Sequence, residues 1–133
     1  MKIPFGLSGL CWSLVLAFQM VGCAQWQTRP LYQVEHAPLE TATAGVSIHQ
    51  LGQRIKAAGT GLGWRMVLLK PGVMMATLKR RKRMAQVRIA FTQTTYHIAY
   101  QDSHHLNYDG TLIHDDYNKW VRRLEDAIQR HVY

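Results

Sequence analysis

The sequence predicts an α+β domain in which two helices flank a four-stranded antiparallel sheet, in the order α-β-β-β-β-α, packed as two layers with both helices on one face. Three observations carry that reading. Apolar residues recur at helical spacing through Ile48, Leu51 and Ile55, and again through Tyr117, Trp120, Val121, Leu124 and Ile128. Between these stripes, Ala85 to Phe91 and Thr95 to Gln101 alternate with period two and are rich in β-branched and aromatic residues, the antiparallel signature. The connections are short, so strands adjacent in sequence are expected to be adjacent in the sheet.

Taken in order, the chain begins with an apolar segment. Lys2 precedes an uncharged run from Phe5 to Val21, and Met20-Val21-Gly22-Cys23 places a cysteine directly after a small residue. A membrane-spanning helix needs roughly 17 to 25 apolar residues, so this run, diluted by glycine, serine and Gln19, reads as a leader rather than an anchor. The tetrapeptide resembles the lipobox of bacterial lipoproteins. That resemblance implies cleavage of residues 1–22 as a signal peptide and a thioether-linked diacylglyceryl group on Cys23. Two acyl chains suffice for stable anchoring. Ala24, where an aspartate would signal inner-membrane retention, implies the outer membrane facing the periplasm.

Removal of residues 1–22 leaves 111 residues, enough for one domain with its own core. Cys11 departs with the leader and the Cys23 thiol is blocked by acylation, so no disulfide is expected. Sixteen Lys and Arg less Lys2 leaves fifteen against eight Asp and Glu, a formal charge of +7. Such a balance favours an anionic partner. In an envelope compartment that means lipid head groups or anionic polymers and not nucleic acid. No cofactor motif is present.

Residues 23–42, with Pro30 and Pro38 and no sustained period, are expected to form a tether, leaving 43–133 as the single domain. A helix is predicted from Ser47 to Ala58, because Ser47 and Gln50 have the form of a capping box; Thr43 is an alternative start. The glycines of Gly59-Thr60-Gly61-Leu62-Gly63 end it. Trp64 to Lys70 is apolar on both parities and is expected to be a strand covered on both faces. Pro71-Gly72 is a turn, and Val73 to Lys79 the next strand. After the two alternating strands, Asp115 and Asp116 suit the N-terminus of a helix running to about His131.

The segment from Ile98 to Ser103, then Leu106-Asn107-Tyr108, Ile113-His114 and Tyr117-Asn118-Lys119-Trp120-Val121, resembles an uncharacterised group of small proteobacterial lipoproteins. Its members share a Trp-opened strand, a Pro-Gly turn, a Tyr-x-x-Ser motif and an Ile-His…Tyr-Asn-x-Trp helix. The resemblance covers residues 45 to 130 and implies fold and location, with no activity attached.

Five consecutive basic residues, Lys79, Arg80, Arg81, Lys82 and Arg83, are expected at a hairpin tip or protruding strand ends, since like charges so close do not fit inside a ladder. They either solvate the hairpin and discourage edge pairing, or attract anionic head groups at about 1 kcal/mol per side chain. His104, His105 and His114 are weak metal candidates, because their spacing matches no known ligand motif. Ser103 beside His104 and Asp102 offers triad residue types, but neighbours in sequence rarely converge as nucleophile, base and orienter. Trp64, Trp120, Tyr100 and Tyr117 read first as core. The sheet face away from the helices is expected to show Arg65, Gln86, Arg88 and His97, available to the tail, a second copy or an envelope protein. Together these features predict a non-enzymatic binding or assembly module on the envelope. Binding of anionic lipid or lipopolysaccharide is the alternative, and a histidine-based metal hydrolase a remote third.

Overall fold

Helix α1 (Ile48–Gly61) starts at the predicted capping box: the Gln50 N–H donates to the Ser47 hydroxyl, and the Ser47 N–H donates to the Gln50 side chain. The computed structural model describes residues 27–39 and 45–132. The expected signal peptide, the lipidation site Cys23 and the alternative helix start at Thr43 lie outside the described residues. Leu51, Ile55 and Ala58 form the buried stripe of α1. Its last turn closes at Leu62, and Gly63 follows with φ 92, the left-handed conformation a helix exit favours. Gly59 is buried against Met66, whose side chain occupies the space a Cβ would need. A glycine there lets the helix approach the sheet.

The chain forms β1 (Thr28–Pro30) and β2 (Val34–Pro38) before α1. After it come β3 (Arg65–Lys70), β4 (Val73–Arg80), β5 (Arg83–Phe91), β6 (Thr95–His104), β7 (Leu112–His114) and α2 (Asp115–Val132). The main sheet is antiparallel throughout, in the order β2-β6-β5-β4-β3, and β1 pairs with β7 in a separate two-stranded ribbon. The α+β class and the hairpin order β3-β4-β5-β6 follow the sequence expectation.

Two expectations are corrected. The sheet has five strands, not four, and the fifth comes from inside the segment expected to be a tether. Val34 is buried opposite Ile98, and the Leu39 N–H donates to Thr94 O, so this stretch is folded onto β6. Its few inward residues are separated by prolines and polar groups and leave no period to read. The second correction concerns β3, expected to be covered on both faces. It is the opposite edge strand, with only Met66 buried.

One sheet face carries the core. Met74 pairs with Ile89, Ala76 with Val87 and Leu78 with Ala85; Ile89 in turn faces Ile98, and Phe91 faces Tyr96. Both helices cover this face: α1 meets Met66 and Phe91 through its glycines, while α2 buries Tyr117, Val121, Leu124 and Ile128. A register shift after Gln86 leaves Gln101 without a partner in β5, a β-bulge. The extra residue explains Tyr-x-x-Ser. Residues three apart on a regular strand face opposite sides, but the bulge returns Ser103 to the side of Tyr100, and their hydroxyls bond at 2.8 Å.

The Asn118 side chain accepts from the Tyr32 N–H (2.9 Å) and donates to Pro30 O (2.9 Å), clipping the N-terminal segment onto α2. The Tyr32 hydroxyl donates to Glu125, and Arg122 lies 4.1 Å over the Tyr32 ring. Gln129 bridges the Tyr96 hydroxyl and Pro38 O, tying α2 to β2 and β6. Burial pushes Tyr96 up to about 12, with the Gln129 hydrogen bond opposing the shift. Burial also raises Tyr117, whose hydroxyl has no hydrogen-bond partner among the described residues.

Candidate functional site

The five basic residues end β4 and begin β5. Arg80 pairs with Arg83, leaving Arg81-Lys82 as a two-residue loop. Arg81 has φ 57, a conformation in which glycine or asparagine is the usual choice. The five are not equivalent. Arg80 donates to Leu62 O at 3.0 Å, completing the C-terminal end of α1, where positive charge also favours the helix dipole. Arg83 forms an ion pair with Asp116 in the first turn of α2. Lys79, Arg81 and Lys82 are exposed, and their side chains have no hydrogen-bond or ion-pair partner among the described residues.

The tip borders a cleft of about 590 Å³ lined by Arg80 to Arg83, Asp116 and Trp120. Trp120 also touches a smaller hollow with Trp64, Arg80 and Arg123, so the indole at this end stands among cations. The charge is polarised well beyond the tip. Residues 41–101 hold ten Lys and Arg and not one Asp or Glu. All of β3, β4 and β5 fall within that stretch.

The N-terminal segment reaches the domain at the same end. Thr28 pairs with His114, which immediately precedes α2, and His114 Nδ1 accepts from the Asp116 N–H at 3.1 Å. Asp116 is the residue that holds Arg83. The start of β1 and the basic tip are thus linked through three consecutive contacts.

The three histidines take different positions. His104 ends β6, exposed and 3.8 Å from Asp102; His105 follows in the left-handed region, φ 56; His114 is buried and serves the start of α2. Among the described residues no three His, Cys, Asp or Glu gather so as to hold a metal ion. Ser103 is engaged by Tyr100, not by a histidine.

The sheet face away from the helices is open. Arg65, Val67, Leu69, Met75, Thr77, Lys79, Met84 and Gln86 line a shallow cleft of about 660 Å³ across β3, β4 and β5. At its far side His97 is covered by the ring of His36 from β2, 4.2 Å between centroids. Sequence reasoning missed two features of the molecule. One is the exposed β3 edge, because apolar composition signals burial and not what does the burying. The other is Asn118, whose partners lie 86 and 88 residues away in sequence. Set against known protein families, curated proteins and solved structures, the chain gives no match in any of the three comparisons.

Proposed function

We propose that this chain is a non-enzymatic lipoprotein of the bacterial envelope, anchored through acylated Cys23 and resting on an anionic membrane or lipopolysaccharide surface through Lys79, Arg81 and Lys82. The observation that carries this is the shared end of the domain: Thr28 meets His114, and the next contacts lead through Asp116 to Arg83 in the tip. Cys23 and Thr28 are five positions apart, a reach of at most roughly 18 Å. A lipid on Cys23 therefore holds the basic tip against the surface in which the lipid is buried. Each cation adds about 1 kcal/mol near anionic lipid. Trp120 beside them suits the interface, where indole rings are enriched. Arg81 supports the reading from energetics: a left-handed position normally given to glycine keeps a charge instead.

The test is partition of the acylated chain between vesicles of phosphatidylcholine alone and vesicles that also contain phosphatidylglycerol. The anchor contributes equally to both, so the ratio reads the tip. The double variant Arg81→Glu/Lys82→Glu loses the preference for anionic vesicles; an unchanged ratio rejects the proposal. Labelled fatty acid is incorporated at Cys23 and absent from Cys23→Ser; label in the variant rejects the anchor.

A further inference from the structure

β3 has the composition of an interior strand and the position of an edge. Val67, Leu68 and Leu69 are 43%, 46% and 53% exposed, and no described strand pairs with the side of β3 away from β4. Free edges are normally blunted with charge, proline or shortness, and a run of three exposed apolar residues is a liability unless something covers it.

The two flanks of this edge differ in chemistry. On the open face, Arg65, Val67 and Leu69 border the cleft that Lys79 also lines. On the helix side, Leu68 lines a separate cavity of about 250 Å³ with Ile48, Gly52 and Met74. The alternation matches what an added strand presents, since successive side chains point to opposite faces.

We infer that β3 accepts an extended segment of another protein as a sixth strand, with apolar side chains entering the Leu68 cavity and acidic side chains lying over Arg65 and Lys79. Acidic character follows from the surroundings, because nothing between residues 41 and 101 carries a negative charge. A second copy fits poorly: antiparallel self-pairing over the whole strand sets Arg65 of each copy opposite Lys70 of the other, and like charges directly opposed are destabilising. Leu69, at a register irregularity, lines the open-face cleft in step with Arg65 and Val67.

The experiment uses the full chain in zwitterionic detergent. The probe is a short capped peptide alternating Val with Glu; the control has the same composition with Val and Glu in separate blocks. The alternating peptide slows amide exchange at residues 65–70, and the block peptide does not. Arg65→Glu weakens binding about tenfold, as the loss of one close charge contact does. Val67→Lys, at an exposed position that leaves the fold intact, weakens it as well. Four results overturn the inference: equal binding of the two peptides, no protection of β3 at saturating peptide, indifference to both substitutions, or self-association of the chain through β3 without peptide. Neither Arg65 nor Val67 belongs to the tip, so a change in vesicle partition by Val67→Lys, with peptide binding unaltered, assigns the edge to lipid and also overturns it.

Discussion

The two edges of the main sheet are built in opposite ways. β2 ends in Pro38, carries exposed Glu35 and has the left-handed residue His36, φ 49, at its centre. Each of these discourages another strand from pairing. β3 has a basic residue at either end and three exposed apolar residues in a row between them. β2 is also fastened from behind by Val34, Leu39 and the Gln129 bridge to Pro38, whereas Met66 is the only buried side chain of β3. One edge is closed by the chain itself; the other is left in a form that suits a partner.

The sharpest way to break that comparison is to place a carboxylate on each edge. Val34→Asp buries an unpaired charge and costs about 4 kcal/mol in urea unfolding of the chain. The Asn118→Ala clip variant is next, at about 2 kcal/mol, because the Tyr32 N–H and Pro30 C=O both lose their partner. It raises amide exchange at residues 28–38 while leaving 65–70 unchanged.

Alkaline pH acts on the same edge with a smaller effect. Tyr96, opposite Ala37 of β2, has its folded pKa raised to about 12 from an ordinary value of 10.0. The folded state therefore holds this proton more tightly than the unfolded state. Its contribution is complete below pH 10 and is lost as pH rises from there through about 12. Tyr96→Phe flattens this part of the profile, a difference read from unfolding curves on either side of pH 10. The smallest effect falls on the other edge: Val67→Asp changes stability by no more than about 0.5 kcal/mol. A loss there as large as at Val34 makes β3 part of the folding core and removes the contrast.

Much of this molecule was legible from local pattern. Ser47 and Gln50 announce the start of α1, and alternation in Ala85 to Phe91 separates the core face from the open face. The basic run lies at a hairpin end as expected, but only Arg81 and Lys82 form the loop, while Lys79, Arg80 and Arg83 sit inside the ladder. The division of labour within the run was not legible. Arg80 and Arg83 are recruited by Leu62 and Asp116, 18 and 33 residues away, so identical residue types acquire structural or free roles only once the chain is folded.

By itself the sequence determined the types of α1, β3 to β6 and α2, the hairpin order and the charge polarity, because periodicity, turn residues and composition act over a few residues at a time. Only the tertiary structure decided which strands stand at the edges, that β2 joins the sheet, and that Thr28 and the basic tip share one end. Those outcomes depend on pairings across long stretches of chain. A strand is an edge through the absence of a neighbour on one side, a relation that no residue within it encodes.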